Sequence, residues 1–560
     1  MPEHILVAIA WPYANARIHV GNVTGSHLPG DIVARYHRLK GNRVLMVSGS
    51  DAHGTPVTLS ADVEGKPVEE VYQRYHRGFL DVFQRLGITY DLYTSTHTEN
   101  HFRVAQSMFL ALKENGYLFT QKSMQWYSPT AGRFLPDRYV EGTCYICGYE
   151  SARSDQCDAC GNVLEPEKLI NPRSKTGDPL ELRETEHFYL DLSKLEPNVK
   201  EFLKARADHM RETVLGESLG KIESEGLRPR PITRDLDWGI PVPVDGWDGK
   251  CLYVWFEAVI GYLSAPIEFS RLSGEADAWR SWWANPEAKQ FYFIGKDNIF
   301  FHTALWPAEL MGAGGQFGEI FLGERFKLTL PYDVPANQFM NLEGKKISGS
   351  RNWAVWTQDA LERYDPDALR YYLTANMPEM KDSDWDWEEF VGRNNNELVA
   401  TWGNLANRVL SFAYKHWERR VPPVDVSALR PRDRSLLATI EKGFQSVGRE
   451  LESVRLRAAL QEAMRLATEV NKYLDEVAPW FEIKESKEEA AKSVYTALRA
   501  IDSLKVLFAP FLPFTSEKLH AFLGYEQPLF GEQYTEEVED ALGVHTVLRY
   551  RPPADHGTVK

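Results

Sequence analysis

The sequence predicts an α/β protein in three parts: a doubly wound parallel sheet, an insertion that splits it, and a helical bundle behind it. Three observations carry this reading. Strand-like apolar runs alternate with amphipathic helical stretches over residues 1–115 and again from about 231, which is the rhythm of βαβ units. Between them, 116–230 holds two close pairs of cysteines among loops rich in Pro, Gly and Asp. From about Trp387 the pattern is helical almost throughout. A chain of 560 residues also exceeds one core, because single cores stop growing near roughly 250–300 residues.

Each element follows in order. The run Ile5–Ala10 predicts a strand, stopped at Trp11-Pro12 because proline removes a backbone donor. His19-Val20-Gly21-Asn22 then opens a segment whose small residues can pack as a helix against a sheet. Free N–H groups at such a helix start, together with its dipole, hold phosphate, and His19 adds a donor there. Arg43–Val47 predicts the next strand and Val68–Leu86 a helix. In the insertion, Cys144-x2-Cys147 and Cys157-x2-Cys160 lie nine residues apart. Paired Cys-x2-Cys elements converge tetrahedrally on zinc, and four thiolates leave no open position, so one structural zinc per chain is expected. Gly148 and Gly161 follow the second cysteine of each pair, where a knuckle needs positive φ. Cys251 stands alone and reads as a small core residue.

The sheet pattern resumes with Gln290–Gly295, and Gly318–Gly323 is expected to be another strand. Ligands sit at the carboxyl ends of strands in such sheets, which draws attention to Gly295, Lys296 and Asp297. In the helical part, Val494, Leu498, Ile501, Leu504 and Leu507 share one face, as in a bundle. Pro510 and Pro513 punctuate it, and Thr515 is expected as the N-cap of a following helix. The stretch after Gly524 is acidic at first and then offers one strand-like piece, Val544–Tyr550.

Composition sets limits. Apolar content of 43% with 26% charge fits an ordinary globular protein. The net charge of −15 speaks to solubility, and a local basic face can still bind a polyanion. No apolar run reaches the roughly 18 residues of a membrane span. Met1-Pro2-Glu3-His4 has no basic leader, so the cytoplasm is the expected location.

The turn at His19 gains meaning from a partner far downstream, Lys345-Lys346-Ile347-Ser348-Gly349-Ser350. The two segments together resemble the His-x-Gly-His and Lys-Met-Ser-Lys-Ser signatures of class I aminoacyl-tRNA synthetases. Pro12-Tyr13-Ala14-Asn15, Asp51-Ala52-His53-Gly54-Thr55-Pro56, Tyr253-Val254-Trp255, Phe293-Ile294-Gly295-Lys296-Asp297 and Ala478-Pro479-Trp480 narrow the resemblance to the methionyl-tRNA synthetase family, in register from residue 5 to about 480. It implies a Rossmann-type catalytic domain in two halves, 1–115 and 231–330, split by a connective insertion with a zinc knuckle, 116–230. It further implies a signature-loop and stem-contact region (331–388), an α-helical anticodon-binding domain (389–524) and a C-terminal tail (525–560).

The implied reaction is activation of L-methionine by ATP, accompanied by Mg2+, then transfer to initiator and elongator tRNA(Met), by a monomer. The resemblance assigns His19, Asn22, Lys345, Lys346, Ser348 and Arg351 to catalysis. ATP falls to His19, Gly21, Asn22, Arg234, Gly295, Asp297 and Lys346. Methionine falls to a pocket of Trp11, Tyr13, Asp51, Trp255, Ala258, Tyr262, Phe301, His302 and Leu305. Aromatic edges suit a thioether, Tyr262 and His302 are expected to aim weak donors at the sulfur, and Asp51 to hold the α-ammonium. Asn404, Arg408 and Trp480 are the anticodon residues, by stacking and edge contacts.

Four positions depart from the family: Trp11 replaces a smaller residue of some relatives, Val259 stands where others have proline, and two more touch the signatures. Asn22 stands where a second histidine is usual, and Gly349 replaces the second lysine of the loop motif. Lys346 is expected to keep the first-lysine role, with Lys345 or Arg351 supplying the missing charge. These losses raise an alternative: a paralogue that binds tRNA or forms an adenylate without charging tRNA. The insertion is too short for the editing domain of leucyl, isoleucyl or valyl enzymes, and its single compact knuckle differs from the scattered ligands of cysteinyl enzymes.

Overall fold

A computed structural model describes residues 2–154, 157, 159–160, 164–349 and 352–553. Gly161, Ser350 and Arg351 therefore lie outside the described residues. The centre is a seven-stranded sheet. Its strands are β1 (His4–Ile9), β2 (Arg43–Ser50), β3 (Leu92–Ser95), β4 (Lys289–Gly295), β5 (Ala336–Asn337), β6 (Glu532–Asp540) and β7 (Gly543–Arg551). They lie in the order β5-β4-β1-β2-β3-β7-β6.

The first five strands are parallel. Strand β1 is wholly apolar at its centre and buried on both faces, as a strand covered by helices on each side must be. Helical residues 20–39, with a π-helical turn at Val23–His27, pack on one face beside the helix Val68–Leu86. The helices Glu99–Glu114 and Val254–Leu272 cover the other face.

Three expectations change. Gly318–Gly323 lies in a helix, Gln316–Leu322, that Gly323 ends with φ of +77°. A short apolar run bounded by glycines cannot be told from a helix turn by periodicity, and the left-handed glycine is a helix C-cap. The sheet edge there is β5 instead. Thr515 is not an N-cap: the helix Pro513–Phe522 begins after Leu512, and Asp367 of another helix accepts the Thr515 N–H at 2.6 Å. The segment beyond 524 carries two strands, not one. The hairpin β6–β7 adds to the free edge of β3 in antiparallel sense, pairing Leu548 with Tyr93 and Arg549 with Leu92, so the sheet is mixed.

The insertion is a long antiparallel ribbon, Leu118–Ser128 with Glu181–Leu190, whose far end carries the cysteine knuckle on a three-stranded sheet. It returns through the helices Glu196–Ala205 and Glu212–Glu225. Beyond β5 come a small sheet (Met340–Leu342, Lys345–Lys346, Ser383–Trp385) and then helices to residue 522. The Val494–Leu507 stripe faces the bundle core as expected. No helix among the described residues is long and apolar enough to cross a membrane.

Candidate active site

The chain leaves β1 at Ala10, and Tyr13 pairs with Asp51 at the end of β2. This brings the strand ends of β1, β2 and β4 together where the sheet order reverses around β1, the place such sheets bind ligands. Two neighbouring subsites follow.

The first is an aromatic pocket. On the helix Val254–Leu272, Trp255, Ala258 and Tyr262 recur at three- and four-residue steps and so share a face. Opposite stands the π-helical turn Phe301–Leu305, carrying Phe301, His302 and Leu305. Trp255 stacks on Phe301 with ring centres 4.2 Å apart, and Tyr13 meets Trp255 edge-on at 6.4 Å. The Trp11 ring fits only because Gly49 and Gly261 lack side chains: a Cβ there would fall 2.1 and 2.6 Å from it.

The polar atoms of this pocket differ from expectation. His302 Nδ1 lies 2.9 Å from the Asn298 carbonyl, to which it must donate, and burial lowers its pKa to about 4. The ring is then neutral, so Nε2 accepts the Tyr262 hydroxyl at 2.8 Å. Both protons are spent inside the protein, and neither side chain aims a donor at a ligand sulfur. The indole N–H of Trp11, by contrast, is buried without a protein acceptor among the described residues.

Asp51 closes one end of the pocket. Its carboxylate is buried, accepts the His53 N–H at 3.2 Å and pairs with no cationic side chain among the described residues. Burial, and then the nearby Glu257, lift it well above the usual carboxylate range. A buried carboxyl without a cation invites one. Behind it runs a network that the sequence reading missed. Glu257 accepts from His53 Nδ1 at 3.0 Å and His101 Nε2 at 2.8 Å, while His53 Nε2 meets His97 Nδ1 at 3.0 Å. His97 stacks on Trp238, whose indole donates to the Ala52 carbonyl at 2.7 Å. The available signal was an acid, Glu257, inside the otherwise uncharged stretch Val254–Ile267.

The second subsite surrounds the turn at His19. The Asn22 N–H donates to His19 Nδ1, and the His19 N–H donates to Asn22 Oδ1, both at 3.2 Å, a reciprocal cap of the helix start. Burial lowers the His19 pKa to about 4. Its proton therefore sits on Nε2, a neutral donor beside the helix N-terminus. Asn22 spends its oxygen on this cap, which leaves its NH2 group for a ligand. Gly21 leaves room for the His19 ring: a Cβ on Gly21 would lie 3.0 Å from its Nδ1, with Ile347 in ordinary contact beyond.

The distant loop docks here. Val20 N–H donates to Val355 O and Thr357 N–H to Ile18 O, both at 3.0 Å, with His19 opposite Trp356. Ser348 and Trp353 exchange two backbone bonds within the loop. Lys345 and Lys346 are exposed. Lys346 Nζ stands 4.3 Å over the Phe339 ring, and Lys296 Nζ stands 4.4 Å over the same ring while pairing with Asp382 at 2.7 Å. Asp297, just past β4, is raised by burial against the pull of its own backbone amide and of Lys346 and Lys296. Gly295 precedes it, and Asp297 Oδ1 lies 2.8 Å from where a Gly295 Cβ would sit. Arg234 lies with its guanidinium 3.8 Å over Tyr253 and donates to the Thr233 carbonyl at 3.0 Å, next to the start of the pocket helix.

Far from this site, Asn404 and Arg408 lie one turn apart on the helix Asn404–His416. The Arg408 guanidinium is 4.8 Å from the centre of the Trp480 ring and donates to Asn471 at 3.1 Å. Trp480 projects after Ala478, which takes φ of +45° between two helices.

The four cysteines also converge. Their sulfurs lie within 4.8 Å of one another, Cys144 to Cys160 at 4.0 Å and Cys147 to Cys157 at 3.5 Å, with no disulfide. Tetrahedral zinc at about 2.3 Å from each sulfur requires edges of roughly 3.8 Å, so the set fits a closed structural zinc site. Gly148 takes φ of +77°, as a knuckle requires. The knuckle is tied to the main body by Asp62, which accepts from Tyr139 and Arg133 at 2.7 Å each.

Comparison with known proteins adds five findings. Residues 5–410 match the family model described as tRNA synthetases class I (M), and residues 423–547 match the anticodon binding domain of methionyl tRNA ligase. A methionine–tRNA ligase of Thermomicrobium roseum is 54% identical over 558 residues, covering 100% of this chain and 93% of the relative. One from Thermobifida fusca is 48% identical, covering 97% and 89%. A solved structure, Mycobacterium tuberculosis methionyl-tRNA synthetase in complex with methionyl-adenylate, superposes with a TM-score of 0.74 at 25% identity, covering 92% of this chain and 93% of that one.

Proposed function

Since the chain belongs to the class I methionyl-tRNA synthetases, we propose that it is a methionine–tRNA ligase whose two subsites hold methionine and ATP side by side. The observation that carries this reading is the docking of 355–357, the segment just after the loop that bears Lys345 and Lys346, onto the turn at His19, next to an aromatic pocket ending in a buried carboxylate that pairs with no cationic side chain among the described residues.

Methionine enters with its side chain among Trp11, Tyr13, Trp255, Ala258, Tyr262, Phe301, His302 and Leu305, and its ammonium on Asp51. A charge-assisted bond there would return Asp51 to its ionised form. The methionine carboxylate oxygen attacks the α-phosphorus of ATP, the bond to the β-phosphate oxygen breaks, and pyrophosphate leaves. The work of the protein is positioning and charge stabilisation. His19 Nε2–H, the Asn22 amide and the backbone at Gly21 donate to the phosphates. Lys346, with Lys345 and Ser348, meets the departing pyrophosphate, to which Mg2+ accompanying ATP adds its charge. Asp297 and Gly295 take the ribose, and Arg234 the phosphate side. The terminal ribose hydroxyl of tRNA then attacks the methionyl carbonyl carbon and AMP leaves.

Zinc on Cys144, Cys147, Cys157 and Cys160 would contribute folding energy to the knuckle, with no free position for chemistry. Asn404, Arg408 and Trp480 would read the anticodon, a splayed base stacking where Arg408 now covers the indole. The reading carries a monomer at work in the cytoplasm.

Methionine-dependent ATP–pyrophosphate exchange, followed by charging of initiator and elongator tRNA, tests this. Both are expected, and Trp480→Ala should raise the tRNA KM about tenfold or more with exchange unchanged. Exchange without charging would instead establish the paralogue reading that Asn22 and Gly349 raise.

A further inference from the structure

The missing lysine at Gly349 leaves the loop with fewer charges, so what it retains must be well placed. The structure holds an unusual grip at this point. Arg17, two residues before His19, reaches across to the segment that follows the loop. Its Nε donates to Gln358 Oε1 at 2.9 Å, its Nη1 donates to Asp359 Oδ2 at 3.2 Å, and its Nη2 contacts the other Asp359 oxygen. The guanidinium also lies 5.4 Å from the centre of the Trp356 ring. That ring is shared: a Cβ on Gly349 would touch it at 3.4 Å, and His19 faces it at 6.2 Å.

The arrangement is a zipper. The backbone pairs Ile18–Thr357, His19–Trp356 and Val20–Val355 form its teeth, and Arg17 fastens its end. An ion pair with side chains 38% and 51% exposed adds little by itself. Here it is a two-pronged guanidinium–carboxylate contact, reinforced by an amide and a tryptophan face, so its geometry is defined. Glycine at 349 offers ATP no side chain at that position, and Lys345 and Lys346 are useful only while the loop is docked. The apparent affinity for ATP then scales with the docked fraction.

We propose that Arg17 is a positioning residue for amino-acid activation: its grip on Asp359, Gln358 and Trp356 keeps 345–349 docked beside His19, where Lys345 and Lys346 reach ATP. This rests on the methionine-activating reading above. Arg17 touches no substrate in this account and acts through the loop.

The test uses the full-length protein with Arg17→Ala, Asp359→Ala, the pair together, and Arg17→Lys. In pyrophosphate exchange, each alanine variant should raise the KM for ATP about tenfold while leaving the KM for methionine unchanged. The double variant should be no worse than either single one, because the two residues act as one contact. Lysine at 17 should recover part of the loss. Amide hydrogen exchange at Val20 and Thr357 should quicken about tenfold in Arg17→Ala, a readout independent of turnover. An ATP KM within twofold of the parent in both single variants, or unchanged protection at those two amides, overturns the proposal. Absence of exchange in the parent protein would defeat the activity reading, and the amide measurement would still decide whether Arg17 is the fastener.

Discussion

At the scale of single residues, proton placement decides what the pocket can offer. His302 must donate Nδ1–H to the Asn298 carbonyl, so its remaining nitrogen can only accept, and Tyr262 fills it. Tyr262→Phe leaves that acceptor buried and unpaired, at a cost of about 1–3 kcal/mol. The methionine KM should rise severalfold while the ATP KM holds, and a melting curve should show the stability loss. The pH dependence has a definite sign. The folded-state pKa of His302 is lowered to about 4, so its contribution to stability is complete above the unfolded value near 6.5 and is lost as the pH falls toward 4. Stability in urea unfolding should therefore fall as the pH drops from about 6.5 toward 4; a pKa near 6.5 for this ring by NMR would contradict the assignment. The aromatic walls were legible from sequence because Tyr13, Trp255 and Tyr262 stand in recognisable strings. The spent protons were not, since they depend on a carbonyl one turn upstream and on burial, neither of which a string of letters records. The His53–Glu257–His101 network was hidden for a similar reason: its members come from three separate segments.

At the scale of elements, spacing was the best guide where chemistry restricts it. The two Cys-x2-Cys pairs are an example, because only a narrow set of spacings lets four sulfurs meet. Zinc analysis should return one ion per chain, and Cys144→Ser should remove most of it. Stripping the metal with a chelator should open residues 140–174 to protease while β1–β5 stay protected in hydrogen exchange; equal protection of the knuckle with and without metal would refute a structural role. The apolar run at 318–323 was harder. Its glycines fit a strand end and a helix cap equally, and the structure decided by using Gly323 in the left-handed conformation. The helix Val68–Leu86 was plain by contrast, since nineteen residues of 3.6-residue periodicity have no rival reading.

At the scale of the whole molecule, Arg370 ties three regions together. It is fully buried, pairs with Asp31 of the helix following the His19 turn at 2.7 Å, and donates to the carbonyls of Pro510 and Phe511 in the helical bundle and of Leu86 at the end of another helix. Arg35 also pairs with Asp31 at 2.9 Å, and burial of that carboxylate is outweighed by the two guanidinium groups, which hold its pKa at about 2. Arg370→Met would strand three carbonyls and weaken the hold on a buried charge, so a loss of about 3–5 kcal/mol is expected in urea unfolding. A change under 1 kcal/mol would show that the contact is dispensable, given that even surface changes reach about half that. Such long-range joins were invisible in the sequence, which marks Arg370 only as a charged residue in a helix.

The hairpin β6–β7 has a consequence for how the molecule is made. Strands β1–β3 leave the ribosome early, yet the partner of β3 is synthesised only after the insertion, the loop and all the bundle helices. Until then the catalytic sheet has an open edge of unpaired N–H and C=O groups, a template for pairing with other chains. Closing it demands contacts between segments very distant in sequence, which is slow. A nascent chain stalled before residue 532 would thus hold a nearly complete active site on a sheet whose edge is still open to other chains.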